Sequence, residues 1–384
     1  MSEFTILPPL SLYIHIPWCV QKCPYCDFNS HALSSAVPEQ AYIDCLLADL
    51  EQHLPEIWGR RLSSVFIGGG TPSLFSVGAI DRLMRGVAER VPLDRDLEAT
   101  MEANPGSAEA GKFAGFRAAG INRLSIGVQS FHDTQLQALG RIHNAEAAVA
   151  AVTAARSAGF DSFNIDLMHG LPGQAADGAI ADLRQALHYR PPHLSWYQLT
   201  IEPNTAFHKR PPALPGEDSL ADIQEAGESL LRAAGYHQYE VSAYSQPGRQ
   251  CRHNLNYWNF GDYLGIGAGA HGKVTLAGGG LRRLAKRRQP EHYMDAAGEG
   301  FTAATRMLAP EEIPGEFMLN ALRLNRGFSL AQFTARTGRS VETILPAIES
   351  LCRRDLLAVD RGQVATTAHG RRFLDDVVAA FFPD

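Results

Sequence analysis

The sequence has no apolar run approaching the roughly 18 residues of a membrane span. Its first twenty residues also lack the basic start, apolar stretch and small-residue cleavage site of a secretory signal. These absences predict a cytoplasmic chain. An excess of positive charge is missing too: Lys+Arg 35 against Asp+Glu 41 gives net −6, which argues against a surface built wholly to grip nucleic acid. Cysteine is scarce, with six in 384 residues. A chain of this length can bury one domain of about 200–250 residues and a smaller one without disulfides. In a reducing compartment, single cysteines read as small buried hydrophobes and clustered thiols as a metal or catalytic site. Cys45, Cys251 and Cys352 fall in the first group, and Cys19, Cys23 and Cys26 in the second.

What is present is a regular beat. Short β-branched or aromatic runs at Leu12 to Ile16, Val65 to Ile67, Leu97 to Met101, Arg123 to Val128, Phe163 to Leu167 and Leu194 to Thr200 alternate with helical patterns. Those helices are predicted over Pro38 to Leu54, Val77 to Arg90, Ser107 to Ala119, Ala145 to Ala158 and Ala175 to His188. Such alternation specifies an α/β fold with a parallel sheet, either an open doubly wound one or a partial barrel, over residues 1–210. The strand ends carry polar and glycine residues: the cysteine triplet, Gly68-Gly69-Gly70-Thr71-Pro72, Glu102 with Asn104-Pro105, Gln129, and Asp166 with His169. Parallel α/β folds build their sites at that edge.

Residues 211–305 read as a connecting region: a helix over Asp218 to Ala234, a strand over Tyr239 to Ala243, an aromatic and polar loop from Cys251 to Trp258, and a glycine-rich turn from Gly265 to Gly272. Residues 306–384 read as a helical domain with a hairpin around Asp360-Arg361-Gly362, in the manner of a winged helix. That last segment holds ten Arg, no Lys and ten Asp+Glu. A locally neutral surface lacks the electrostatic term of DNA binding, so docking or dimerisation is the expected role.

The triplet spacing, Cys19-x3-Cys23-x2-Cys26, suits a zinc completed by His15 or His31, or a four-iron cluster with one iron left open. An open iron can take a chelating ligand, and the amino and carboxylate groups of S-adenosylmethionine form such a chelate.

The run from Tyr13 to Phe28 resembles the cluster loop of radical S-adenosylmethionine proteins. More narrowly it is similar to the oxygen-independent coproporphyrinogen III oxidase family and its haem-chaperone branch. The likeness continues in order through Gly68 to Thr71, Glu102, Gly127-Val128-Gln129-Ser130, Arg141 and Asp166. It implies a partial (β/α)6 barrel with a C-terminal winged-helix-like domain. It also implies cluster ligation by Cys19, Cys23 and Cys26, and S-adenosylmethionine bordered by Tyr13 and Tyr25. Backbone groups of Gly69, Gly70 and Thr71 and the charges of Glu102 and Arg141 would meet the methionine end, and Gln129 and Asp166 the ribose.

Three features favour the haem-chaperone branch over the oxidase. Phe28 stands where the oxidases carry a further cysteine, the first strand is reached by Leu12, and His253-Asn254-Leu255-Asn256-Tyr257-Trp258 matches an HNxxYW motif of that branch. The resemblance thus implies haem as a ligand, His253 as a candidate axial ligand to its iron, and Tyr257 and Trp258 against the porphyrin. Propionate partners are sought in Arg249, Arg252 or the basic run Arg282 to Arg288, which otherwise reads as a solvated loop. The expected partners are a haem-acceptor protein, membrane-associated in one version, and a second copy in a transient dimer. A haem- or redox-sensing DNA regulator is the reading from another class.

Overall fold

The computed structural model describes residues 7–276 and 278–383. Six strands form where the apolar runs lie: β1 (Leu10–Ile16), β2 (Leu62–Gly69), β3 (Leu93–Ala103), β4 (Arg123–Gln129), β5 (Ser162–His169) and β6 (His193–Gln198). Between them run α1 (Glu39–His53), α2 (Val77–Arg90), α3 (Phe113–Ala118), α4 (Ala145–Ser157) and α5 (Ala176–His188). The side chains of Ser76 and Asn144 start α2 and α4 by accepting from Ala79 and Ala147 amides, which satisfies amides that have no helical partner. One expected helix is broken: Ser107 to Ala119 forms as Ser107–Ala110 and then α3. The break falls at Gly111 and Lys112, whose ammonium is drawn to the carbonyls of Leu74 (3.1 Å) and Phe75 (3.1 Å).

The six strands pair in parallel and in chain order. A doubly wound sheet needs a reversal of strand order, and these units have none. Right-handed crossovers between strands laid down in one direction place the helices on one face. That face buries Leu12, Ile14, Val65, Ile67 and Leu124. Because side chains alternate across a strand, the other, inner face receives residues such as Tyr13, Phe66, Thr100 and Arg123, which share a register row.

Residues 211–305 contribute strands to both edges of the same sheet. After α6 (Glu217–Ala233), β7 (His237–Glu240) and β8 (Ala243–Ser245) add antiparallel strands beyond β6. The single strand expected over Tyr239 to Ala243 is split because Glu240 turns its carboxylate back onto the Ser242 amide (3.1 Å). The segment expected as a loop, Cys251 to Trp258, is instead a helix, α7 (Arg252–Trp258). Next come β9 (Asp262–Ile266), parallel to β1, then β10 (His271–Thr275), β11 (Leu281–Lys286) and β12 (Thr302–Met307), antiparallel to one another. The glycine-rich turn is the junction of β9 and β10, with Gly267 and Gly269 at positive φ (101° and 80°). The twelve strands form an open sheet with β12 and β7 at its edges.

The basic run up to Lys286 is β11 and not a solvated loop, while Arg287 and the exposed Arg288 follow the strand. Arg282 pairs with Glu56, Arg283 with Glu316 and the buried Lys286 with the buried Asp49, so acids from distant segments hold these cations in place.

The C-terminal segment comprises α8 (Ile313–Ala321), β13 (Phe328–Ser329), α9 (Leu330–Thr337), α10 (Leu345–Arg353) and the hairpin β14 (Leu357–Asp360) and β15 (Gln363–Thr366). Arg361 and Gly362 both take positive φ (47° and 81°), as a two-residue hairpin turn requires. Its core around Phe317, Phe328, Phe333 and Ile348 is continuous with Phe260 and Leu281 of the sheet region. Cys45 and Cys251 are buried as expected, whereas Cys352 is only partly so.

Candidate cofactor site

The three clustered cysteines follow β1 on one loop, at the carboxyl edge of the sheet, and all three are partly buried. The loop is anchored on both sides. A two-residue parallel ladder pairs Trp18–Cys19 with His31–Ala32, and the Asn29 amide group donates to the carbonyls of Ala268 (2.9 Å) and Arg288 (2.8 Å). Burial pushes the Cys19 and Cys26 thiols up, so binding a metal, which requires thiolates, would expel protons.

Arg141 joins this loop to the strand ends. Its guanidinium donates to Cys23 Sγ (3.4 Å), Asn104 Oδ1 (2.7 Å) and the Gly127 carbonyl (2.9 Å), and Asn104 in turn donates to Thr71 Oγ1 (2.9 Å). Asn104 is a member of the site that was legible only as a polar residue at a strand end.

Among the described residues no three His, Cys, Asp or Glu side chains converge on a single metal ion. Both ring nitrogens of His15 are engaged, Nδ1 with the Tyr13 hydroxyl (2.9 Å) and Nε2 with the Asn29 carbonyl (2.8 Å), which removes it as a fourth zinc ligand in this arrangement. Thiols spread along a loop match a polynuclear cluster better than a tetrahedral ion.

Glu102 Oε2 accepts from the Gly69 amide (2.9 Å), and burial, with a smaller contribution from Asp166, raises its carboxyl to about 7. Gly70 and Thr71 amides donate to the carbonyls of Ile16 (2.7 Å) and Trp18 (2.7 Å). The amides of the glycine loop are therefore committed within the fold, and carbonyl oxygens are what it can offer an ammonium. Packing alone already requires the glycines. A Cβ on Gly69 would lie 2.4 Å from the His15 ring, and one on Gly70 2.5 Å from the Trp18 carbonyl.

Gln129 ends β4 with φ of 68°, a left-handed conformation that costs a non-glycine residue about 1 kcal/mol or more. Tyr197 donates to its Oε1 (2.7 Å) and so fixes the amide; no periodicity or motif had marked Tyr197. Asp166 accepts from Ser125 (2.9 Å) and Asn164 (2.7 Å) deeper on the inner face, with its carboxyl raised by burial. Tyr13 and Tyr25 flank the loop, the latter packed on Phe207 (centroids 6.4 Å). His169 packs on Trp196 (4.2 Å) away from this group.

The HNxxYW residues lie elsewhere. α7 crosses the inner face near the amino ends of the strands, opposite the cysteines. Its first turn has no cap of its own; Glu98 of β3 accepts from the amides of Arg252 (3.1 Å) and His253 (3.0 Å) and from Cys251 Sγ (3.5 Å). His253 is 8% exposed, its Nδ1 on Ser64 Oγ (3.0 Å) and its ring on Phe66 (5.0 Å). Burial and the nearby Arg123 lower its pKa to about 3, so the ring is neutral. Asn256 donates to Ser11 Oγ (2.8 Å). Tyr257 and Trp258 meet edge to face (4.9 Å), with Arg323 over the Trp258 ring (4.5 Å). The geometry does not gather His253, Tyr257 and Trp258 with the cysteine site. Arg252 is paired with Asp96 (2.9 Å).

Residues 13–185 match the Radical SAM superfamily, and residues 308–373 match the HemN C-terminal domain. A protein of Escherichia coli named "Heme chaperone HemW" is 51% identical over 98% of this chain and 99% of its own length. A mouse protein named "Radical S-adenosyl methionine domain-containing protein 1, mitochondrial" is 36% identical over 97% of this chain and 87% of its own. The solved structure of the Escherichia coli coproporphyrinogen III oxidase HemN, described as a radical SAM enzyme, aligns with a TM-score of 0.82 at 24% identity. That alignment covers 98% of this chain and 90% of that one, a likeness of fold.

Proposed function

Because the chain belongs to the HemW family of the radical S-adenosylmethionine superfamily, we propose that it is a haem chaperone. In this reading it binds haem and passes it to an acceptor protein, and carries a four-iron cluster and S-adenosylmethionine. The observation that carries the reading is the end-to-end likeness to relatives named as haem chaperones. No helix among the described residues is long and apolar enough to cross a membrane, so a membrane-associated acceptor would be met from outside the bilayer.

The donor set suits the cluster: Cys19, Cys23 and Cys26 would supply three thiolates, and the Arg141 guanidinium donates to Cys23 Sγ. When bound, the cluster and S-adenosylmethionine supply one-electron chemistry at the sulfonium. The chain's own residues hold and orient. Glu102 and the carbonyls of Gly69, Gly70 and Thr71 receive the methionine ammonium, and Arg141 receives its carboxylate. Gln129 and Asp166 bond the ribose hydroxyls, while Tyr13 and Tyr25 border the nucleoside and exclude water. In this proposal cofactor occupancy controls dimerisation or haem release, without porphyrin oxidation. Support against the oxidase comes from Phe28, 60% exposed at the position of the oxidases' additional cysteine.

For haem, His253 is the proposed iron ligand, with Tyr257 and Trp258 against the macrocycle. With Nδ1 held by Ser64, Nε2 is the nitrogen left for iron, and because the ring is buried α7 must shift before haem can reach it.

One anaerobic experiment tests the reading. The protein is reconstituted with iron and sulfide, haem is titrated into wild type and His253→Ala while the Soret band is followed, and coproporphyrinogen III is offered with reductant and S-adenosylmethionine. Haem binding that weakens in the variant, without conversion of the porphyrinogen, is expected. Formation of protoporphyrinogen would overturn the chaperone reading, and unchanged affinity in His253→Ala would remove that ligand. Light scattering with and without S-adenosylmethionine checks the dimer.

A further inference from the structure

Arg123 sits on the inner face of β4, 3% exposed, and among the described residues its guanidinium has no hydrogen-bond or ion-pair partner, with Nε fully buried. A buried cation without a partner costs several kcal/mol, so a fold that retains one leaves it to be explained. The charges of Cys251, Glu98 and Asp166 lie near enough to keep the guanidinium ionised despite its burial, but none of them bonds to it. Glu98 is occupied by the first turn of α7, and Asp166 by Ser125 and Asn164. Directly opposite in register on β3, Thr100 is 0% exposed, and its hydroxyl is also without a partner. Two adjacent buried donors on one face therefore await an acceptor.

We propose that Arg123 and Thr100 form the carboxylate-binding pair of a ligand chamber on the inner face of the sheet, and that the carboxylate they take is a haem propionate. The assignment rests on the haem reading above. A guanidinium presents paired donors that match the two oxygens of a carboxylate, which a lone ammonium does not. With α7 lifted, the same face offers the rings of Phe66 and Tyr13 (centroids 6.2 Å) to a flat macrocycle, and His253, which rests on Phe66 (5.0 Å) when the helix is down, is carried on the lid. Of the other cations considered for this role, Arg252 is committed to Asp96, Arg282 to Glu56, Arg283 to Glu316, Lys286 to Asp49 and Arg287 to Glu299, while Arg249 and Arg288 are exposed. α7 covers the chamber and is held by Glu98 and Ser64, so it acts as the lid that entry must lift.

The test compares haem with haem dimethyl ester, in which the propionates carry no charge. Reconstituted wild type, Arg123→Gln and Arg123→Lys are titrated with each and followed at the Soret band, with thermal melts as the folding check. Wild type is expected to prefer haem by about tenfold or more, the size of one charge-assisted contact. Arg123→Gln should lose that preference while binding the ester as wild type does, and Arg123→Lys should retain part of it. A preference unchanged in Arg123→Gln, or equal loss for both ligands, overturns the assignment and leaves the haem reading standing. If Arg123→Gln does not fold, the ratio in Arg123→Lys decides, and an undiminished preference there overturns the bidentate contact. Wild type that binds neither ligand overturns the haem reading and this assignment together.

Discussion

The two regions rich in chemistry are held in opposite ways. At the carboxyl edge, the cysteines and strand-end residues sit on a loop and on strand termini. The cysteine side chains are partly buried, and positions in this region are set by short polar links such as Arg141 to Cys23 and Asn104 to Thr71. At the amino half, α7 is packed onto the inner face, with His253 closed between Ser64 and Phe66. The first region needs no helix displaced before the proposed small ligands reach it. The second must open to bind anything, and its residues stabilise the fold while it is shut. One region can therefore lose its chemistry without losing the fold, and the other cannot.

The largest effect that would break this contrast is at the cysteines. Cys23→Ser should reduce iron and sulfide after reconstitution to background. Urea unfolding of the metal-free variant should stay within about 0.5 kcal/mol of wild type, because a half-exposed thiol contributes little packing. Substantial destabilisation would make the loop a structural element like α7. Next, Glu102 ionises near pH 7 in the free protein and must be charged to receive an ammonium. Affinity for S-adenosylmethionine should thus fall as pH drops below 7, approaching about tenfold per unit, and Glu102→Gln should flatten the profile in a calorimetric titration.

At α7 the proton acts on the fold itself. The His253 ring is kept neutral down to about pH 3 when folded, but ionises near 6.5 in an unfolded chain. Protons then favour the unfolded state below pH 6.5. Its contribution is full above that value and is lost as pH falls towards 3, at about 1.4 kcal/mol per unit. The difference between wild type and His253→Gln in urea melts across that range isolates it. The smallest effect is Trp258→Leu. Losing the Arg323 contact should cost about 0.5–1 kcal/mol without altering cluster content.

The same contrast explains how far the amino-acid sequence could be read. The beat of apolar runs marked the six parallel strands β1 to β6, because period-2 and helical patterns are local, but missed β9, the seventh parallel strand, within the glycine-rich stretch. Cys19-x3-Cys23-x2-Cys26 was legible for the same reason. α7 was not, since the acid that caps it, Glu98, lies more than 150 positions earlier in the chain and Cys251 contributes no cap. The Arg282 to Arg288 run looked solvated because its acids, Glu56, Glu316 and Asp49, come from other elements. Tyr197 entered the site only through the strand geometry that brings it to Gln129.

Pattern and spacing within the chain were thus enough for the α/β architecture, the cysteine loop and the polar strand ends, each of which depends on residues a few positions apart. Three-dimensional packing decided which backbone amides remain free, which histidine is closed off, and that Arg123 lies buried with no acid bonded to it. Those outcomes depend on which distant groups meet, and burial makes the presence or absence of a single partner worth several kcal/mol.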